Sequence, residues 1–457
     1  MERIMEDMTT HIWGGTTETL MHPIAAAALI IASILILVLE RDKAFAVFAL
    51  AAILIPVTQR GNLMGLNFMA FRVLITAVWV RLFFRMELYP LRLNTIDKIF
   101  ILWVLSNMIA FVLLWQTWGA FVNRLGFMLD SAGIYFLCRF LITDRREIDT
   151  AIKAFAVLGI ILAGIMFLEQ VTGRKALAFM GGIQEMIEVR EGRFRSQASF
   201  AHPILAGSFG AALFPLLLSL WRRPKMQTSF LIAGMVAAVM ITILSASSGP
   251  ILSLIFGIIA LYMWPFREHL PKIKWGIIVT LFTLHLVMKA PVWALIDRMG
   301  VLAGSSSYHR FNLVDQFIKR FDEWWLFGTK STSHWGWMMW DAINQFVAEG
   351  IRGGFGTLIL FIVLLSLCYR TIGVKIAEAG NNRPAQLTLW AIGSALFTHT
   401  ISFFGIAYFD QIVVFWYFML AMISTMSTMS ISEIYPVVNG VAHVKMKRGE
   451  NAAWISP

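Results

Sequence analysis

Apolar runs of the length needed to cross about 30 Å of hydrocarbon recur along almost the whole chain. They fall at 23–39, 44–57, 64–84, 97–116, 119–142, 151–170, 203–220, 228–246, 249–266, 275–292, 350–369, 386–404 and 410–430. That makes about thirteen, and 44–57 is short enough to be re-entrant, so twelve or thirteen crossings are expected. The fold class that follows is all-α: a polytopic membrane helical bundle, with residues 1–457 forming a single integral membrane domain. Composition argues against the soluble alternative. The chain is 58% hydrophobic and only 14% charged, whereas a soluble domain carries roughly a quarter charged residues to cover its surface.

The net charge of +11 would suggest nucleic acid in a soluble protein. Here the basic residues lie between apolar runs, where they set orientation, and no nucleic-acid partner is expected. Clusters stand at Arg41/Lys43, Arg85/Arg92/Lys98, Arg145/Arg146/Lys153, Arg222/Arg223/Lys225, Arg267/Lys272/Lys274, Arg370/Lys375/Arg383 and Lys445/Lys447/Arg448. They alternate with short loops near 58–63, 116–118, 246–248 and 405–409 that contain only Arg60. The basic side is then cytoplasmic; thirteen spans put the N-terminus outside and the C-terminus inside. The first twenty-two residues are acidic and lack the order of a cleaved signal peptide, so insertion is expected to start from an uncleaved helix. Cys138 and Cys368 both sit in apolar runs, which argues against a disulfide. No metal-type spacing of Cys and His occurs, and neither metal nor cofactor is expected.

Two long connections remain, 171–202 and 293–349, both on the outer face. The first holds Arg190, Arg193 and Arg195, followed by His202-Pro203. Guanidinium forks so close to a membrane suit phosphate oxygens. Arg193 and Arg195, two apart, share one side of an extended strand. The plainer reading is a solvated loop in which these arginines pair with Glu185, Glu188 and Glu191. Pro203 suits a first helical turn, with His202 either orienting the loop or touching a substrate hydroxyl.

The second connection carries an amphipathic pattern from Arg310 to Trp325. Val314, Phe317, Phe321 and Trp325 recur at helical spacing, which reads as an interfacial helix capped by Ser305 or Ser306. Arg310 falls on the apolar stripe, either snorkelling or awaiting an anion. Farther on, residues 332–350 read TSHWGWMMWDAINQFVAEG. Trp335, Trp337 and Trp340 form either an aromatic belt or a platform for sugar rings. Asp341, Asn344 and, less closely, Glu349 are expected to share a face of the entering helix. There a carboxylate takes a proton from an attacking hydroxyl, or else pairs with Arg310 or Arg352. Within the spans, Arg72, Arg81, Arg124, Asp130, Arg139 and Glu169 need partners or a cavity. The expected pairs are Asp130 with Arg124, and Glu169 with an arginine of the first connection.

The order of these motifs resembles the O-antigen ligase and polysaccharide polymerase superfamily of bacterial inner membranes. The resemblance rests on LEQVTG at 168–173, GRFRSQASFAHP at 192–203, SSSYHRF at 305–311, WLFG at 325–328 and NQFVAEG at 344–350. It covers roughly residues 150–370 and the general hydropathy. It implies an inverting, metal-independent glycosyltransferase acting on the periplasmic face of the inner membrane. The donor would be a glycan on undecaprenyl pyrophosphate, the acceptor another glycan, and export or chain-length proteins the companions, all among membrane lipid. Carried across by position, Arg193 or Arg195 and Arg310 would hold the pyrophosphate, with His202, Asn344 and Glu169 around the substrate. His334, Asp341 and Glu349 are the catalytic candidates. Two departures shift the expectation from ligase to exopolysaccharide-type polymerase. Residues 246–250 read ASSGP with no Arg after the Ser, and Ile343 stands where ligases place a His before the Asn. A transporter of polysaccharide or lipid-linked glycan is the alternative of another class, but no similar halves or broken midplane helices are evident.

Overall fold

A computed structural model describes residues 20–63, 66–181, 183–221, 226–295 and 306–435. The Ser305 cap, the acidic N-terminus before Leu20 and the basic clusters at 222–225 and 445–448 lie outside these residues. The described chain is mostly helical, with two short β-hairpins. Four of its helical stretches are long and apolar enough to cross a membrane: Thr95–Trp115, Arg145–Thr172, Trp264–Val287 and Gln345–Glu378. Five shorter apolar helices accompany them.

In chain order the helices are α1 (Pro23–Val38), α2 (Arg41–Leu54), α3 (Ala70–Phe84), α4 (Thr95–Trp115), α5 (Trp118–Met128), α6 (Ile134–Leu141) and α7 (Arg145–Thr172). After them come α8 (Pro203–Leu218), α9 (Thr228–Leu244), α10 (Ser248–Tyr262), α11 (Leu270–Val287), α12 (Ser306–Lys319), α13 (Gln345–Glu378), α14 (Arg383–Ser402) and α15 (Ile412–Thr428). Local chemistry sets their ends. Capping boxes start α4 (Asn94 with Asp97) and α7 (Asp144 with Glu147). Gly173 ends α7 in the left-handed conformation, and Pro203 opens α8.

Helix α15 is the axis of the bundle. Every residue from Val414 to Met426 is buried, as expected of a helix that is apolar on all sides. Helices α2, α6, α8 and α13 pack on it, and α7, α8, α9, α10 and α14 form one continuous packed group beside it. At the far side α11 buries no residue at all.

Three expectations change. The run at 64–84 does not begin as helix: Arg60–Leu63 pairs antiparallel with Leu66–Met69, and α3 starts at Ala70. The run at 119–142 is interrupted by a π-helical turn, Leu129–Gly133, which contains Asp130. The amphipathic helix of the second connection stops at Lys319, because Arg320 leaves helical geometry (φ −104°, ψ 36°). The buried side is therefore Leu313 and Phe317, not a stripe running on to Phe321 and Trp325, both of which are exposed. Leu313 and Phe317 join Trp324, Trp335 and Val347 in a small core of their own over the start of α13. This packs one side of the segment against the start of α13.

The second connection is fastened to α13 through backbone. Thr329 N donates to Ile351 O (2.8 Å) and Phe355 N to Trp325 O (2.8 Å). The bonds need a break in α13, supplied by Gly354 at φ 76°, ψ −178°. A Cβ on Gly354 would lie 2.3 Å from Leu326 O, and one on Gly328 (φ 92°) 2.3 Å from Ile351 O. Neither backbone oxygen can yield. Gly354→Ala is expected to cost at least about 1–3 kcal/mol, the strain of that conformation alone. Thermal unfolding in detergent measures it, and an unchanged midpoint would contradict the account.

Candidate functional site

The first connection is held down by a carboxylate. Glu169 at the end of α7 is fully buried and accepts hydrogen bonds from Gln197 N (2.9 Å), Ala198 N (3.0 Å) and Ala176 N (3.3 Å). Its expected arginine partner is thus replaced by backbone N–H groups, and its work is to position the loop. Above it Glu188–Arg190 pairs with Arg193–Arg195. The turn between them uses positive φ at Glu191 and Gly192. Arg195 is buried, bonded to Glu188 Oε1 (2.5 Å) and Ser247 Oγ (2.9 Å), so the plainer pairing holds for Glu188. Arg193 is exposed on the same strand. His202 caps α8, its Nδ1 accepting from Ile204 N (3.1 Å).

Arg310, on α12, differs from these. Its Nε is buried without a hydrogen-bond partner, and none of the described carboxylates reaches it within ion-pair distance. Its guanidinium lies by Gly249 and Gly405, 3.7 and 3.9 Å from where a Cβ would stand. Burial, then the nearby charge of Arg190, pushes its pKa down. A like charge as electrostatic neighbour, with no carboxylate to answer it, is an arrangement that an anion would relieve. The ASSGP segment that lacks the expected Arg is the one beside it: Ser247 meets Arg195 and Gly249 meets Arg310.

The catalytic candidates separate. His334 Nε2 lies 2.7 Å from Glu323 Oε2, and buried Trp335 donates to the same oxygen (2.8 Å). Trp337 and Trp340 are exposed. Asp341 lies in the loop before α13, so it does not share a helical face with Asn344 and Glu349. It is exposed, with His309 and Arg352 as its electrostatic neighbours. Asn344 is the N-cap of α13, accepting from Phe346 N (2.9 Å) and Val347 N (3.2 Å). Glu349 is buried and accepts from Trp103 Nε1 (2.9 Å) and Gln345 Nε2 (2.6 Å).

Glu349 opens onto a chamber of about 250 Å3 between α3, α4, α5, α13 and α15. One wall is an ion pair, Arg72 with Asp130 (2.6 and 2.8 Å), which replaces the expected pairing of Asp130 with Arg124. The π turn carries Asp130 there, and Gly126 leaves room: a Cβ on it would sit 2.9 Å from Arg72 Nη2. Arg124 instead donates to Asn107 Oδ1 (2.8 Å) and lies 3.7 Å over the Phe111 ring. Arg352 and Asp410 complete the charged lining. Sequence reading gave Asp410 and Asn107 no part here, and considered Arg352 only as a partner for a carboxylate among residues 341–349. The available signal was their position in or beside apolar runs.

The two sites share one end of the bundle. Gln411 on the threshold of α15 donates to Ser199 O (2.6 Å) of the first connection, and Gln345 N to Phe403 O (2.9 Å) beside the second.

His202 makes this end pH-sensitive. Desolvation, followed by the charge of Arg195, lowers its pKa from 6.5 to about 4. A depressed histidine favours the neutral form in the fold. Its contribution is therefore intact above the unfolded value near 6.5 and fades as pH falls toward 4. The thermal midpoint is expected to be level above that value and to drop below it. His202→Asn, which keeps a capping side chain without the titration, is expected to flatten that part of the profile. Compared with known proteins, the chain matches no protein-family profile and no curated sequence.

Proposed function

We propose that the chain is a polytopic inner-membrane glycosyltransferase with its active end on the periplasmic face. In this reading the thirteen apolar intervals cross the bilayer, with α5 and α6 counted as one crossing through the π turn. The 14 residues of α2 reach only about 21 Å, which keeps twelve crossings open. Among the short loops, basic residues concentrate on the side opposite the two long connections, which supports a cytoplasmic setting for that side.

The observation that carries the reading is Arg310: a guanidinium without a counter-charge among the described residues, with Arg190 of the first connection as its electrostatic neighbour. A lipid-linked glycan diphosphate supplies what this group lacks. The acceptor hydroxyl oxygen attacks the anomeric carbon, and the bond from that carbon to the diphosphate oxygen breaks. The electron pair leaves with the diphosphate, whose growing charge Arg310, Arg195 and Arg193 stabilise. Asp341 suits the base better than the other candidates, since Glu349 and His334 are engaged in hydrogen bonds. It takes the hydroxyl proton, and no metal enters the step. Exopolysaccharide-type polymerisation, glycan onto lipid-linked glycan, is the preferred form; transfer of polymer to a lipid A-core is the ligase form. A transporter reading draws its support from the charged chamber, since ionisable residues at membrane depth often mark solute paths.

Arg310→Ala in the native host is expected to cut long-chain polysaccharide at least about tenfold, the loss of one charge-assisted contact. Arg195→Ala is expected to do less, because that side chain is already bonded to Glu188. Undiminished polymer from stably inserted Arg310→Ala protein would sink the proposal. Polymer retained inside the cell as finished chains would favour the transporter.

A further inference from the structure

The chamber beside Glu349 does not have Arg310 in its lining, and its chemistry is more particular than a place for water. Its volume of about 250 Å3 leaves room for one small ring. It reaches deep: Asn107 lies eight residues before the end of α4 at Trp115, about 12 Å down the helix.

Two of its three guanidinium groups lack a carboxylate contact. The oxygens of Asp130 are both bonded to Arg72, and those of Glu349 to Trp103 and Gln345. Arg124 is 8% exposed, holds Asn107 through one nitrogen, and keeps its Nε buried without a partner. Arg352 lines the same space, open to it, with neither a hydrogen bond nor an ion pair among the described residues. Both groups therefore border the chamber with hydrogen-bonding capacity that no described carboxylate takes up. Opposite charge is not absent, since Asp410 also lines the chamber, but its carboxylate makes no ion pair among the described residues. The remaining walls include Trp103, Phe127, Tyr408 and Tyr417, with the amide of Asn123 among them. Aromatic faces, an amide, an unengaged carboxylate and two guanidiniums form a set that fits an acidic sugar. Rings take its apolar face, Asn123 and Asp410 its hydroxyls, and the arginines its carboxylate in forked hydrogen bonds.

We infer that this chamber is a binding site for a single carboxylate-bearing pyranose, gripped through Arg124 and Arg352. The inference goes beyond the diphosphate reading and does not depend on it, since the ligand could arrive as a free monosaccharide or as the end residue of a glycan.

The test uses the full chain in lipid nanodiscs, with intrinsic tryptophan fluorescence as readout, because Trp103 lines the site. Glucuronate, its methyl glycoside, glucose and acetate are titrated separately. Expected is a saturable response to glucuronate, at least tenfold weaker for glucose and for acetate. Equal binding of the methyl glycoside would identify the end of a glycan as an acceptable source, and binding of free glucuronate only would identify the monosaccharide; either supports the site. Arg352→Gln is expected to weaken glucuronate at least tenfold, while Arg310→Gln leaves it unchanged. No saturable response in the wild-type protein, or equal affinity for glucose and glucuronate, would overturn the inference without any variant. So would unaltered glucuronate binding in Arg352→Gln. Loss of polymer in Arg310→Gln protein that still binds glucuronate separates the two sites; intact polymer in that variant removes the diphosphate reading and leaves the chamber standing.

Discussion

An ionised side chain inside an apolar bundle remains charged only where the chain itself supplies the compensation that water would give. Most charges in the interior meet this condition. Asp97, fully buried, accepts from Tyr135 (2.6 Å), Ser424 (2.8 Å) and Arg139 (3.0 Å), while Arg139 also donates to Thr425 (2.7 Å). That network ties α4, α6 and α15 together at the end away from the long connections. Arg81 is answered by Glu87 and by the carbonyls of Ile36 and Leu39, and Glu169 by backbone N–H groups. Removing one partner of such a buried pair typically costs about 3–5 kcal/mol, so each acts as a fastening. Against that background the side chains without an ion-pair partner among the described residues stand out. Arg310, Arg124, Arg352 and Asp410 all lie at the opposite end.

The division of labour between the ends follows from geometry. One end spends its charges on closing helices to each other. The other keeps donors in reserve, and there the backbone is least regular: a hairpin before α3, a π turn before α6, a break within α13. Each irregularity serves the placement of a charged group or a loop. The π turn turns Asp130 toward Arg72, and the break at Gly354 lets residues 325–329 bond to the backbone of α13. The WLFG motif is thereby held against the residues of α13 that follow NQFVAEG.

Much of the fold was legible because hydropathy is a local property. A helix lies in each of the thirteen apolar intervals, and Pro203 and Gly173 mark boundaries where their conformations demand it. The need of Arg72, Arg81, Arg124, Asp130, Arg139 and Glu169 for partners was legible too, since it follows from the cost of burying charge. Which partner each would take was not. Asp130 and Arg124 are near in sequence, yet Arg72, 58 residues from Asp130, takes the carboxylate because α3 packs beside the π turn. The stripe on α12 misled for a similar reason: helical periodicity cannot announce that Arg320 will leave the helix. Within the candidate site, the arginines were visible as a cluster, but the spread of Asp341, Asn344 and Glu349 over loop, cap and helix depends on where α13 begins.

Helix α11 carries a consequence of another kind. It buries none of its residues against the described chain, so, apart from His285 stacked on Trp293, little imposes a shape on its side chains. Selection on this segment can act on hydropathy and length but scarcely on identity. Among natural variants it should drift freely between Leu, Ile, Val and Phe while α15, enclosed on every side, stays nearly invariant.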